Sequence, residues 1–240
     1  MSSLEVINAQ EAARAQGPRE RFVRDVVEAF EQAEIEFGLL HGHDGKARDS
    51  DLDVAVTRRS LEAVDALVRV GTFGRMLQRL HYDVPWCIYY VVEVDEPGRR
   101  FRQLDVACDP WGIGRYGPAL PIALDFLKRN PGAGVLDAGT EAAYLAVKRA
   151  QKGFRHESER SRLIMGATDR QAAAALLESR LGVRAGQAVS FLGTPGKRGE
   201  EALRSLAAEV HRYRRAPARF VLRGFYETGR VLGGYGGRPA

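Results

Sequence analysis

Residues Phe37 to Val56 read FGLLHGHDGKARDSDLDVAV and carry the strongest structural signal in the sequence. It holds a short apolar run, a glycine-containing turn, a polar loop, and a second run in which apolar residues alternate with acidic or small ones. Alternation with a period of two is typical of a β-strand, so Asp51 and Asp53 leave the same face of the extended backbone. Two neighbouring carboxylates are costly to bury unless a cation lies between them. The pattern therefore predicts a divalent metal site.

A second carboxylate of the same kind follows in RRFRQLDVACD, residues 99–109, where Asp105 stands in an apolar, strand-like run. If both strands belong to one sheet, Asp105 can lie beside Asp51 and Asp53. Three hard oxygen ligands suit Mg²⁺, which keeps several waters and also binds substrate phosphates. Two such ions can align an in-line phosphoryl or nucleotidyl transfer.

These features resemble the DNA polymerase β-type nucleotidyltransferase superfamily. The shared pattern is a glycine turn at Gly42, an Asp-x-Asp strand, and a later single aspartate on another strand. Within the superfamily, the chain is most similar to bacterial nucleotidyltransferase-like domains that precede a thymidylate-kinase-like P-loop domain or lie near surface-polysaccharide genes. The likeness rests on the segments LLHGHDG, SDLDVAV and LDVACDPWGIGRYG and covers residues 19 to 153.

The resemblance implies an α+β fold, in which a nucleotidyltransferase-type mixed β-sheet is flanked by helices and followed by a C-terminal helical domain. It also implies two Mg²⁺ ions and an NTP substrate. By this likeness Asp51 and Asp53 ligate both ions, while Asp105 ligates one and helps to activate the attacking hydroxyl. The candidate nucleotide-binding residues are Gly42, His43, Lys46, Ser50 and Lys148.

The glycine turn departs from the family pattern. The superfamily usually has a Gly-Ser or Gly-Gly pair that holds the triphosphate, whereas this chain has Gly42-His43-Asp44-Gly45. His43 is bulkier than serine, and Asp44 repels a phosphate unless it points away. Two interpretations stay open: a transferase that moves a nucleoside monophosphate to a small-molecule hydroxyl or phosphate such as that of a sugar, or a non-catalytic nucleotide- or phosphoglycan-binding module that serves a kinase-like partner. The three aspartates favour the first, and the altered turn favours the second.

Periodicity predicts the surrounding elements. Helices are expected where apolar residues recur every three to four positions, and strands where aromatic and β-branched residues cluster. The predicted helices cover residues 19–34, 141–152, 168–181 and 200–213, and Ser60 is predicted to be the N-cap of another. The predicted strands cover residues 37–40, 51–56, 86–94 and 100–108, the last two joined as an antiparallel hairpin at Pro97-Gly98.

Two segments near the proposed site allow two interpretations each. The glycine- and proline-rich run WGIGRYGPALP, residues 111–121, is predicted to be an irregular loop. Its Trp111 and Tyr116 can stack on a base or sugar ring with Arg115 facing phosphate, or Trp111 can cover the sheet edge. Lys148 can reach the triphosphate, as the resemblance implies, or stabilise the C-terminal end of its helix.

Composition sets the outer bounds. The chain has 240 residues, of which 45% are hydrophobic and 28% charged, as in an ordinary soluble globular protein. The Gly/Pro-rich run 130–139 predicts a boundary between a catalytic domain, residues 1–130, and a helical domain, residues 140–240. Cys87 and Cys108 are expected to be buried free thiols in a reducing compartment. The absence of a signal-like segment or a long apolar run predicts a cytoplasmic protein without a membrane span.

Positive charge is concentrated after residue 179. Residues 180–240 contain 12 Lys and Arg against 4 Asp and Glu, while the whole chain carries +5. This basic region can attract a phosphorylated partner, or it can be a solvated helix surface. Nucleic acid is disfavoured, because no RNA-binding motif is present. Residues 193–199, GTPGKRG, resemble part of a phosphate loop but lack its spacing, and a surface loop is predicted there.

Overall fold

The computed structural model of the protein describes residues 18–41, 51–82, 84, 86–96, 99–114, 117–132, 134–153, 163 and 167–232. The strands in these ranges are β1 Phe37–His41, β2 Leu52–Val56, β3 Arg75–His81, β4 Cys87–Glu96, β5 Arg99–Ala107 and β6 Gly134–Val135. The helices are α1 Pro18–Gln32, α2 Leu61–Val70, α3 Ala119–Arg129, α4 Ala138–Lys152, α5 Ala167–Leu181, α6 Val183–Ala188, α7 Lys197–Arg215 and α8 Pro217–Leu232.

The strands form one mixed sheet in the order β3-β4-β5-β2-β1-β6. The pairs β2–β5 and β1–β6 are parallel, and the other neighbours are antiparallel. The predicted α+β class, with a mixed sheet flanked by helices, is thereby confirmed. The predicted antiparallel pairing of β4 with β5 is also confirmed, with Cys87 opposite Ala107.

Strand β2 lies in the middle of the sheet and is buried on both faces. The alternating residues of this strand therefore separate an apolar face from a second buried face that carries Asp53, rather than a core face from a solvent face. Asp51 stands directly before the strand, which begins at Leu52, and it is half-buried.

Helix α1 covers the β1 side of the sheet with its apolar stripe. Phe30 packs edge-on against Phe37 of β1, with 5.3 Å between the ring centroids, and against Phe73 at 6.4 Å. The helix predicted over residues 19–34 thus buries the face that the period of 3.6 indicates. Ser60 does precede α2, but its side chain bonds the Thr57 hydroxyl at 3.0 Å and makes no capping hydrogen bond.

The prediction of an irregular loop over residues 111–121 is wrong for its last three residues, because α3 begins at Ala119. Pro121 lies in the first turn of the helix, where the missing N–H costs no hydrogen bond. Most side chains of α3 are buried, and its polar residues Asp125, Lys128 and Arg129 lie in the second half of the helix. The strands β3 and β6 were not predicted either; β3 has mostly exposed side chains, and β6 has only two residues.

Helix α4 joins the sheet to the helices that follow. It contacts α3 and β1 on one side and α5 and α7 on another, and most of its side chains are buried. Asp137 caps its N-terminus by accepting the Thr140 backbone N–H at 2.9 Å. In the described ranges, no helix is both long enough and apolar enough to span a membrane.

Candidate functional site

The sheet brings two of the predicted aspartates together. Strands β2 and β5 are parallel neighbours, and Asp53 pairs in register with Asp105. Paired residues on adjacent strands project from the same face of a sheet. Both side chains are buried, with 4% of Asp53 and 2% of Asp105 exposed. Two carboxyl groups therefore share a site from which water is almost excluded.

Lys148 of α4 provides a positive charge at this site. Its Nζ donates a hydrogen bond to Asp53 Oδ1 at 3.0 Å, and both side chains are buried. A buried ion pair of this kind offsets the desolvation of both charges but is strongly destabilising to break. The sequence suggested a phosphate contact or a helix-end role for Lys148, whereas the contact in the structure is with a carboxylate.

Asp105 is held on one side only. The Tyr82 hydroxyl donates to Asp105 Oδ2 at 2.9 Å, while the buried Oδ1 has no hydrogen-bond partner among the described residues. Burial raises the pKa of Asp105 to about 7, and the charge of Asp53 adds to this rise. Tyr82 and Lys148 act in the opposite direction. Asp105 thus combines an unused acceptor atom with a proton affinity near neutrality.

Asp51 contributes to the same electrostatic environment from the start of β2. Tyr89 of β4 pairs in register with Asp105. Burial, together with the charges of Asp51, Asp105 and Asp53, raises the pKa of Tyr89 to about 12. Asp51 also raises the pKa of Asp105, although it is the smallest contribution. All three aspartates therefore act on one region of the sheet.

The donor set was tested for its fit to a divalent cation. Among the described residues, no group of three or more His, Cys, Asp or Glu side chains is arranged so that it could hold a metal ion. Asp53 Oδ1 is bonded to Lys148 and Asp105 Oδ2 to Tyr82. The buried, unpartnered Oδ1 of Asp105 nevertheless leaves a hard oxygen donor beside a second carboxylate, and such a donor suits Mg²⁺.

Several predicted site residues lie outside the described residues: Gly42, His43, Lys46, Ser50, Arg115 and Tyr116. Their roles stay predictions.

Tyr82 and Tyr89 were missed from the sequence. Their rings meet edge-on at 6.3 Å, and Tyr82 bonds Asp105 directly. The alternation within β4 could have placed Tyr89 on the carboxylate face once the hairpin register was known. Tyr82 follows β3, a strand that the sequence did not predict, so no local signal indicated it.

Trp111 packs against the residue that precedes β4. Its ring lies 5.1 Å from that of Trp86, and the Arg58 guanidinium lies 5.2 Å from the Trp86 centroid and 5.5 Å from the Trp111 centroid. The Trp111 carbonyl accepts a hydrogen bond from Arg219 of α8. These contacts pack Trp111 beside the starts of β4 and α8, and its role in covering the sheet edge stays a prediction. Stacking on a ligand ring stays a prediction, with 41% of Trp111 exposed.

Asp109 organises the loop that follows β5. It is fully buried, and its Oδ2 accepts the Gly114 backbone N–H at 2.7 Å. Burial raises the pKa of Asp109, and hydrogen bonds from the backbone of residues 111–114 oppose that rise. Gly112 in this loop has φ +62°, and an added Cβ would lie 2.8 Å from the Gly117 carbonyl oxygen. Asp109 is therefore interpreted as a structural aspartate.

The search for similar proteins returned nothing that identifies a family. No protein-family model, curated protein or solved structure matches the chain.

Proposed function

We propose that this protein is an Mg²⁺-dependent nucleotidyltransferase. It transfers a nucleoside monophosphate from NTP to a hydroxyl or phosphate group of a small molecule such as a sugar. The proposal includes a nucleotidyltransferase-type fold for the sheet, a catalytic domain over residues 1–130, and a helical domain over residues 140–240.

The observation that carries the proposal is the in-register pair of buried carboxyl groups on β2 and β5. A fold gains no stability from two buried like charges, so such a pair points to a role in chemistry. Tyr82 fixes the orientation of Asp105 and leaves Oδ1 free of protein donors in the described structure. Asp51 adds negative potential at the same place.

Each residue has a role in this proposal. Asp51, Asp53 and Asp105 would hold Mg²⁺, which supplies charge neutralisation for the triphosphate and the leaving pyrophosphate. Asp105 would also help to activate the attacking hydroxyl, as the resemblance implies. Lys148 would supply positive charge to the phosphates, as the resemblance implies. The burial of the carboxyl groups excludes water that would compete with the acceptor.

A second candidate is the non-catalytic binding module of the same fold that serves a kinase-like partner. The Asp53–Lys148 pair favours it, because Lys148 already neutralises one carboxylate without a metal ion. In that module the basic residues bind the nucleotide or phosphoglycan, and no transfer takes place.

Calorimetry separates the two candidates. For the transferase, NTP should bind at least tenfold more tightly with Mg²⁺ than in EDTA, which is about 1.4 kcal/mol of coupling. Asp51→Ala should lose this coupling, while Asp95→Ala, a control at an exposed aspartate of β4, should keep it. Equal NTP affinity with and without Mg²⁺ would reject the transferase and favour the binding module. Pyrophosphate release from each NTP, measured against a panel of sugars and sugar phosphates, then identifies the acceptor.

A further inference from the structure

A cleft of about 790 Å³ lies among the helices that follow α5. Its walls are α6, the single turn Val189–Phe191 and the N-terminal half of α7. The side chains that carry its chemistry are Arg184, Gln187, Phe191, Arg198, Glu201 and Ser205. None of the three aspartates of the candidate site lines this cleft, so it requires an explanation of its own.

Two exposed arginines, Arg184 and Arg198, line the cleft. Arg184 and Arg198 come from different helices and are exposed, and neither makes a salt bridge or a side-chain hydrogen bond with another described residue. Other arginines of the same region do pair, as Arg180 does with Asp125 and Arg212 with Glu209. Two guanidinium groups that line one cleft can both donate hydrogen bonds to an anion, although Glu201 lines the same cleft.

The rest of the lining supplies an apolar surface and neutral polar groups. Phe191 is 45% exposed, and the buried residues Ala188 and Ala202 form an apolar floor beside it. Gln187 and Ser205 add hydrogen-bonding groups at the rim. A ring can therefore pack on Phe191 while an attached anionic group lies between the arginines.

The loop that resembled a fragment of a phosphate loop connects the two walls. Gly193 and Gly196 have φ +81° and +82°, and the Thr194 N–H bonds the Phe191 carbonyl at 3.2 Å. Residues 194–198 are exposed as predicted for a surface loop, but α7 begins at Lys197. The loop thus reverses the chain after Phe191 and brings Arg198 to the cleft.

We propose that this cleft, which we name the Arg184–Arg198 cleft, binds a small molecule in which a phosphate group is attached to a ring. The guanidinium pair selects the phosphate, and Phe191 selects the ring. Glu201 repels further negative charge, which favours a single phosphate over a polyphosphate or a nucleic-acid backbone. The volume lies within the ~300–1,000 Å³ typical of small-molecule sites.

Phenyl phosphate is the minimal probe, and binding is followed by backbone amide NMR in EDTA without NTP. We expect phenyl phosphate to bind at least tenfold more tightly than inorganic phosphate or phenol, with shift changes confined to residues 184–205. Arg184→Gln and Arg198→Gln should each weaken the binding of phenyl phosphate at least fivefold. Phe191→Ala should reduce the ratio of the affinity for phenyl phosphate to that for inorganic phosphate. Arg204→Gln, an exposed arginine of α7 outside the cleft lining, should bind like the wild type. Unchanged melting temperatures verify that the variants fold.

Four results would overturn the proposal. They are shift changes outside the cleft, benzoate binding as tight as that of phenyl phosphate, an equal loss in Arg204→Gln, and tight binding of an oligoribonucleotide without binding of phenyl phosphate. Tight binding of benzoate would indicate that the cleft binds carboxylates. An equal loss in Arg204→Gln would indicate diffuse charge attraction, and tight binding of the oligoribonucleotide alone would indicate an RNA-binding surface. Because EDTA removes Mg²⁺ and no NTP is present, the outcome is independent of whether the protein transfers nucleotides.

Discussion

Lys148 replaces water as the partner of a carboxylate that has almost no access to solvent. The pair with Asp53 has a length of 3.0 Å and joins α4 to β2. In a buried pair the attraction and the desolvation cost nearly cancel, so the pair contributes little net stability while the loss of one member leaves an unpaired buried charge. The free energy of unfolding should therefore depend on the two residues jointly.

Lys148→Met should lower the free energy of unfolding by about 3–5 kcal/mol in EDTA, because Asp53 keeps a buried charge without its cation. The double variant Asp53→Asn/Lys148→Met should recover most of this loss. Urea denaturation of the wild type, both single variants and the double variant gives the coupling energy directly. Lys128→Met, at an exposed lysine of α3, is the control and should change stability by less than about 1 kcal/mol. A double variant as unstable as the sum of the single variants would show that the pair has no energetic coupling.

Asp65 of α2 ties three elements together. Its carboxylate accepts hydrogen bonds from Arg69 at 2.7 Å, from Arg79 of β3 at 2.6 Å and from the Tyr90 hydroxyl of β4 at 2.8 Å. Burial alone raises the pKa of Asp65, but the hydrogen bonds from Arg69, Tyr90 and Arg79 outweigh it, and the pKa is lowered. The ionised form is thus the one that holds α2 against the sheet.

The lowered pKa makes the contribution of Asp65 dependent on pH. Its stabilisation is present above the unfolded-state pKa of 3.8 and is lost as the pH falls toward the lower folded-state value. Asp65→Asn should destabilise the protein by about 1–3 kcal/mol at pH 7 and by progressively less below pH ~4. Urea denaturation between pH 3 and 7 measures the difference. Asp25→Asn, at a more exposed aspartate of α1, is the matched control. If the free energies of unfolding of the wild type and Asp65→Asn differ by a constant amount across this pH range, ionisation of Asp65 does not stabilise the fold.

Helices α4 and α5 approach closely at Gly139. A Cβ added to Gly139 would lie 2.8 Å from the Ala172 Cβ and 3.2 Å from the Asp169 carbonyl oxygen. Gly139→Ala should therefore destabilise the protein by about 1–3 kcal/mol, since the helices must separate to accept the methyl group. Gly224→Ala in α8 is the control, because an added Cβ there meets nothing within 4 Å and helix propensity favours alanine. Thermal melting of both variants tests this, and a melting temperature of Gly139→Ala at or above that of the wild type would contradict the close packing.

The elements that could be predicted from the sequence are those with a local period. The alternation in residues 51–56 and the β-branched run before Pro97-Gly98 indicate β2, β4 and β5, and these strands position Asp53 and Asp105. Helix α3 was not predicted, because the glycines and prolines around its start, with Pro121 in its first turn, are typical of a loop. Lys148 was found by resemblance, but its bond to Asp53 depends on how α4 packs on the sheet. Tyr82 was missed for the same reason, since no spacing in the sequence records a contact across the sheet.

At the scale of the whole molecule, the two thiols are placed so that they report on opening of the fold. Cys87 begins β4 and Cys108 follows β5, and both are free and buried. Their burial agrees with the prediction. Burial raises the pKa of Cys108 to about 12 and also raises that of Cys87. The reactive thiolate is thus suppressed while the sheet is closed.

Labelling of these thiols therefore links global stability to the candidate site. At pH 8 a disulfide reagent such as DTNB should react with both cysteines slowly in the native protein and rapidly in urea, because reaction requires opening of the β4–β5 region. Any ligand that binds only the native state raises the free energy of opening and so lowers the population of open molecules. A ligand at 100 times its Kd raises this free energy by about 2.7 kcal/mol, which lowers the open population roughly a hundredfold. Under the transferase proposal, Mg²⁺ together with NTP should slow labelling far more than either alone, and Asp51→Ala should remove that extra protection.

Rapid labelling of both thiols in the native protein would contradict their burial. Slow labelling that Mg²⁺ and NTP leave unchanged would instead reject the coupled site and leave the fold intact.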